Sequence, residues 1–274
     1  MRRPNLFIIG GSKSGTSNLQ EILNHHSDIY LLPYESHFFS RHFFNRDIDE
    51  WSENAFSGHF EKKYIGDKSV THANSKTYLE AIKHYCGDDV KIIFMMRDPI
   101  DKFLSWWTFM RSVVQSKIDE DYSVYSKSYY TSVLQEIDET WNFSRFLDFQ
   151  LERYEFLDKH QPYRMSSMNK IQLSRYDTLI QNIQDVFGDN CFYIVTEEFK
   201  KNRSKVLRDL YEYLDVEHEE LPFFVSNTSN KKWNDEVRDE DIKLLTDIFR
   251  PSVEKAKEVI GDKISMWRDY GIKP

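Results

Sequence analysis

The sequence predicts an α/β fold, a parallel sheet flanked by helices on both sides, and three observations carry that prediction. Short apolar runs rich in Ile, Val, Phe and Tyr recur along the chain; each is too short for a typical helix and suits a strand buried on both faces. Stretches with helical spacing separate these runs, so strand and helix alternate as they do when crossovers join parallel strands. The first run ends in a glycine-punctuated turn, Gly10-Gly-Ser-Lys-Ser-Gly-Thr16, at the strand end where such sheets bind ligands.

In chain order, residues 6–9 form the first strand and 17–23 the first helix. A second strand is centred on Tyr64 and Ile65, followed by a helix over 77–85. A third strand spans 90–96 and its helix 100–113. Residues 111–168 break the alternation: they are rich in tyrosine and serine at first (Tyr122, Tyr125, Tyr129, Tyr130), then helical through 143–156, with no clear strand. This segment reads as a helical insertion over the acceptor side of the site, or as a helical pair that only pads the fold. A helix over 174–186, a strand over 191–195 and helices over 204–214 and 239–259 complete the pattern. The expectation is one domain over 1–274, with 111–168 as an insertion.

Composition narrows the function. With 274 residues, 40% hydrophobic and 30% charged, the chain can bury a sizeable core. Its net charge of −8 argues against a nucleic-acid polymer as partner, because backbone binding needs a basic surface. A small anion needs only local positive charge. Cys86 and Cys191 are far apart and form no metal-ligand spacing. No apolar run approaches the roughly 18 residues needed to span a bilayer, and the N-terminus lacks the long apolar stretch of a signal peptide. A cytoplasmic location is expected, without stable membrane insertion.

The glycine turn is the most informative feature. Successive backbone N–H groups at the positive end of a helix dipole suit an anionic phosphate. Gly10, Gly11 and Gly15 permit close approach, Lys13 adds a mobile charge, and Ser12, Ser14, Thr16 and Ser17 add hydroxyl donors. The P-loop of ATP-using enzymes places its lysine directly after the last glycine. Here the lysine comes first, as Lys13-Ser-Gly-Thr16, so the turn departs from the ATP-loop pattern. A plain helix cap with an incidental lysine is the simpler reading. The second informative segment, 90–107, ends its strand in Arg97 and carries Ser105 about two turns into the helix. Arg97 can fork onto a phosphate and Ser105 can donate to it; pairing of Arg97 with Asp98 or Asp101 is the structural alternative.

Together these segments resemble the sulfotransferases that use 3′-phosphoadenosine 5′-phosphosulfate (PAPS). The resemblance implies a P-loop-like fold, a 5′-phosphosulfate held by Gly11 through Ser17, and a 3′-phosphate held by Arg97 and Ser105. Two more segments are similar to the carbohydrate branch, which includes the heparan sulfate enzymes. Glu35-Ser-His-Phe-Phe39 matches a motif whose glutamate is the catalytic base, and Gly66-Asp-Lys-Ser69 resembles an element whose lysine reaches the reacting centre. Asn227-Thr-Ser-Asn-Lys-Lys-Trp233 stands where the family closes a basic loop over the donor, which implies Lys231, Lys232 and Trp233 as donor contacts. Phe223 and Phe224 fit a buried aromatic cluster better than an adenine site. The resemblance runs from Asn5 to about Gly261 and is poor over 111–168. Ser17 and Ser40 stand where one heparan branch has arginine and aspartate, so its acceptor contacts are not retained.

The resemblance implies a reaction governed by positioning and charge, with no metal. Lys13 and Lys68 would stabilise oxygens that gain charge. Glu35 would deprotonate the acceptor, with His37 as rival because histidine titrates nearer neutrality. Against these stand a helix-capping or Arg41-paired Glu35, a surface Lys68 and a merely packed His37. The acceptor class implied is a carbohydrate or glycoconjugate hydroxyl or amine. Two other functions compete: an ATP-dependent P-loop kinase, and a nucleotide-binding protein without catalysis.

Overall fold

The computed structural model describes residues 2–42, 47–118, 137–160, 169–220 and 237–272. Five parallel strands form one sheet in the order β2-β3-β1-β4-β5. They are β1 (Leu6–Gly10), β2 (Ile29–Leu31), β3 (Tyr64–Lys68), β4 (Lys91–Met96) and β5 (Cys191–Val195). β1 lies in the centre, pairing Leu6 with Gly66 on one side and with Lys91 on the other. Gly66 is dictated by this pairing: a methyl group there would sit 1.9 Å from the Leu6 carbonyl oxygen.

Burial on both faces explains the unbroken apolar strands. Alternate residues of β1 and β4 point to opposite cores. Phe7, Ile9, Phe94 and Met96 face a large cluster shared with α3 (Lys76–Cys86), α4 (Pro99–Ile118), α5 (Phe143–His160), α6 (Tyr176–Phe187) and α9 (Asp239–Ile260). Leu6, Ile8, Ile93 and Met95 face a second cluster built on α1 (Thr16–Leu23), α7 (Thr196–Lys201) and α8 (Arg203–Leu214). Helices on both sides are what a parallel sheet requires.

Five elements depart from the sequence expectation. The three-residue β2 is too short to show a pattern. α2 (Ile48–Phe56) is a genuine helix whose signal is its cap: the Asp47 carboxylate accepts from the Asp49 and Glu50 amides. α7 follows β5 with no intervening loop, a six-residue helix where the sequence pattern assigns no element. α4 starts at Pro99, whose fixed φ suits a first helical position, and runs to Ile118, past the expected end at 113. α6 begins at Tyr176, because Gln172–Ser174 form a separate 3₁₀ turn.

Candidate active site

β1, β3 and β4 are neighbours, and their carboxyl ends deliver the glycine turn, Lys68 and Arg97 to one edge of the sheet. Gly15 caps α1 with φ 84°, a left-handed conformation that glycine adopts without strain. Gly11 donates to the Met95 carbonyl at 2.6 Å, and Ser14 donates back to Gly11 at 3.2 Å. A side chain on Gly11 would meet that carbonyl at 3.0 Å, so the turn or β4 would have to give by a few tenths of an ångström to admit one. From behind, the Thr196 hydroxyl on α7 reaches the Ser14 and Met96 carbonyls, both at 2.8 Å. Ser14 and Thr16 are buried, Ser12 is half-buried, and Gly15 and Ser17 are exposed at the mouth.

Two groups of side chains meet on this turn. In the first, Lys68 is only 5% exposed and its Nζ donates to Glu35 Oε1 at 2.9 Å and to Ser17 Oγ at 3.4 Å. The reading of Lys68 as a surface lysine is therefore wrong: the strand that carries it is buried throughout. Glu35 Oε2 lies 3.6 Å from His37 Nε2, and His37 Nδ1 lies 2.9 Å from the Thr71 hydroxyl. In the second group, Lys13 Nζ stands 4.3 Å from the Phe109 ring centroid and 5.8 Å from that of Trp106. Arg97 donates to the Lys13 carbonyl at 3.4 Å. Burial, and then the Arg97 charge, lower the Lys13 ammonium to about 8.

Arg97 approaches Asp101 at 4.0 Å, a loose pair at best. Asp98 is not its partner, since that carboxylate accepts from the Arg268 amide and the Tyr270 hydroxyl. Arg97 is thus held through its backbone, which exchanges hydrogen bonds with the Tyr176 hydroxyl. Ser105 sits half-buried in the second turn of α4. Lys231, Lys232, Trp233, Phe223 and Phe224 lie outside the described residues, as do Tyr122, Tyr125, Tyr129, Tyr130 and the Arg41 side chain.

Several supporting residues escaped the sequence reading. Asp67, fully buried next to Lys68, accepts from the Ser36 amide at 3.2 Å and the Ser36 hydroxyl at 2.8 Å. The Ser69 hydroxyl accepts from the His37 amide at 2.9 Å. β3 and the residue after it therefore pin the loop that carries Glu35 and His37. His37 itself has φ 52°, a left-handed conformation uncommon outside glycine, and such positions concentrate at functional sites. The available signal was a carboxylate inside a strand otherwise buried and largely apolar. Burial raises the Asp67 pKa and lowers that of His72 to about 3, so both are held toward their neutral forms. Among the described residues no group of His, Cys, Asp or Glu could hold a metal ion, and no helix is long and apolar enough to cross a membrane.

The fold is shared with known proteins. A sulfotransferase from Alicyclobacillus acidocaldarius superposes with a TM-score of 0.71 at 24% identity, over 98% of this chain and all of that one. Mouse sulfotransferase SULT7A1, solved as a complex with PAP, superposes at 0.53 with 14% identity, over 98% of this chain and 90% of its own. Both likenesses are of fold. No curated protein matches the chain significantly. The model of the sulfotransferase domain matches residues 3–259, and by that match the chain belongs to the sulfotransferases, enzymes that take their sulfuryl group from PAPS.

Proposed function

We propose that this enzyme sulfates a hydroxyl or amine of a carbohydrate or glycoconjugate, with Glu35 as the base. The observation that carries the reading is the Lys68 ammonium, which joins Glu35 at 2.9 Å to Ser17 of the donor turn at 3.4 Å. One lysine thereby couples the residue suited to activate an acceptor with the turn suited to hold the donor. The acceptor oxygen would attack sulfur as the bond to the bridging phosphate oxygen breaks. Its proton would pass to Glu35, and adenosine 3′,5′-bisphosphate would leave. Lys13 and Lys68 would stabilise charge on the bridging and equatorial oxygens. Gly11, Ser12, Ser14, Gly15, Thr16 and Ser17 would hold the 5′ end, and Arg97 with Ser105 the 3′-phosphate. Lys231, Lys232 and Trp233 are proposed to close over the donor.

Exposure of the neighbouring Tyr34, at 56%, supports a sugar acceptor, because an open aromatic face suits stacking on a pyranose ring. The Glu35-Ser-His-Phe-Phe39 and Gly66-Asp-Lys-Ser69 segments favour the carbohydrate branch, and their contact through Glu35 and Lys68 adds to that. We read residues 1–274 as one catalytic domain, with 111–168 lining the acceptor side. The test is sulfate transfer from labelled PAPS to a panel of unsulfated oligosaccharides, amino sugars and simple phenols. Labelled saccharide is the expected product. Transfer to phenols alone would refute the carbohydrate assignment while leaving the enzyme class intact.

A further inference from the structure

Lys102, on the first turn of α4, is 1% exposed, although no motif or spacing singles it out. Its Nζ donates to the Leu173 carbonyl at 2.5 Å and stands 5.1 Å from the Tyr176 ring centroid. On another side it meets the glycine turn. A methyl group on Gly11 would lie 3.3 Å from this Nζ and 3.3 Å from the Ser14 hydroxyl oxygen. The ammonium therefore ends against the turn that carries Lys13, at a place solvent does not reach.

The charges around it are otherwise engaged. Asp98 and Asp101, on or beside the same helix, are held by Arg268, and Asp98 also by the Tyr270 hydroxyl. Glu197 on α7 accepts from the Trp267 indole and the Asp98 amide. The Tyr176 hydroxyl on α6 is bonded to the Arg97 backbone, while Lys13 and Arg97 carry the same sign as Lys102. A buried ammonium without a carboxylate is costly. The cost is offset when an anion settles nearby, and the adjoining turn is built for one. We propose that Lys102 is a positioning residue of the donor site, whose ammonium supplies counter-charge from within the protein for the phosphosulfate on the Gly11–Ser14 turn. The inference rests on the donor reading given above.

Burial lowers Lys102 to about 7, so near neutrality about half the molecules carry the proton before the donor arrives. An anion on the turn favours the charged form, raises the pKa and draws a proton from solution. Affinity is then greatest below pH 7 and declines as pH rises through that value. Lys13, lowered to about 8, acts with the same sign about one unit higher, so a comparison at pH 7 isolates Lys102.

The test is calorimetric titration of the full chain with adenosine 3′,5′-bisphosphate at pH 7, in two buffers of different ionisation enthalpy. Wild type, Lys102→Met and Lys102→Gln are compared. Wild type is expected to take up about half a proton more than either variant. The variants should bind roughly tenfold more weakly, the scale of one unit charge several ångströms away in a partly screened interior. Uptake and affinity unchanged in the variants would overturn the role of Lys102 and leave the donor reading standing. A wild-type chain that ignores the bisphosphate would overturn both. Should neither variant fold, Lys102→Arg decides: a charge that stays on at pH 7 should abolish the extra uptake while affinity is kept, and uptake equal to wild type overturns the role.

Discussion

Lys13 and Glu35 occupy different situations, and their substitutions should separate accordingly. Lys13 sits against Trp106 and Phe109, close to Arg97, with its ammonium lowered to about 8. A lysine in this position matters most when new negative charge develops beside it. Lys13→Ala should therefore reduce turnover much more than affinity for adenosine 3′,5′-bisphosphate, and equal losses in both would show that it only binds. Because the wild-type lysine is charged below about pH 8 in the free enzyme, kcat/KM for the donor should fall as pH rises through that value. Glu35 is held by Lys68 and close to His37. Glu35→Gln should keep donor affinity and lower turnover by about a hundredfold or more, the usual scale for a general base. If instead His37→Gln causes that loss and Glu35→Gln does not, the proton goes to the imidazole.

At the level of elements, β3 does the most to build the site. It supplies Lys68, anchors the Glu35 loop through Asp67, and admits β1 through Gly66. Gly66→Ala must push the Leu6 carbonyl aside; a loss of about 3 kcal/mol in denaturant unfolding is expected, and a loss below about 1 would contradict the packing. Next to Asp67, His72 is fully buried with its pKa lowered to about 3. A base whose folded pKa lies below its unfolded value loses stability as pH falls below about 6.5. His72 should thus cost about 2 kcal/mol between pH 7 and pH 5. His72→Phe should remove that acid sensitivity, and identical pH profiles for the two proteins would refute it.

The elements also show what was legible in the sequence. Strands β1, β4 and β5 and the turn after β1 could be read because double-sided burial leaves continuous apolar runs and close backbone packing leaves glycines. Arg97 and Ser105 were legible from their place after a strand. β2 was not, since three residues carry no period, and α2 was missed although Asp47 marked its start. Lys102 and Asp67 illustrate a deeper gap. Each is a charged residue within a helix or strand, where one-dimensional pattern cannot distinguish a solvated side chain from a buried one. Only the packing of α4 against the turn, and of β3 against the Glu35 loop, reveals them.

For the whole molecule, sheet order explains why the site lies where it does. β1 lies between β3 on one side and β4 on the other, so three strand ends converge on the turn. An anion held there touches elements from both cores, and its binding should stabilise the entire domain rather than one loop. The most direct test is thermal unfolding with adenosine 3′,5′-bisphosphate, beside ATP with and without Mg²⁺. At about a hundred times its dissociation constant the bisphosphate should add roughly 2.7 kcal/mol, a rise of several degrees for a chain of this size, with no metal present. Stabilisation by ATP only with Mg²⁺, and none by the bisphosphate, would contradict the assignment of this turn to a sulfuryl donor.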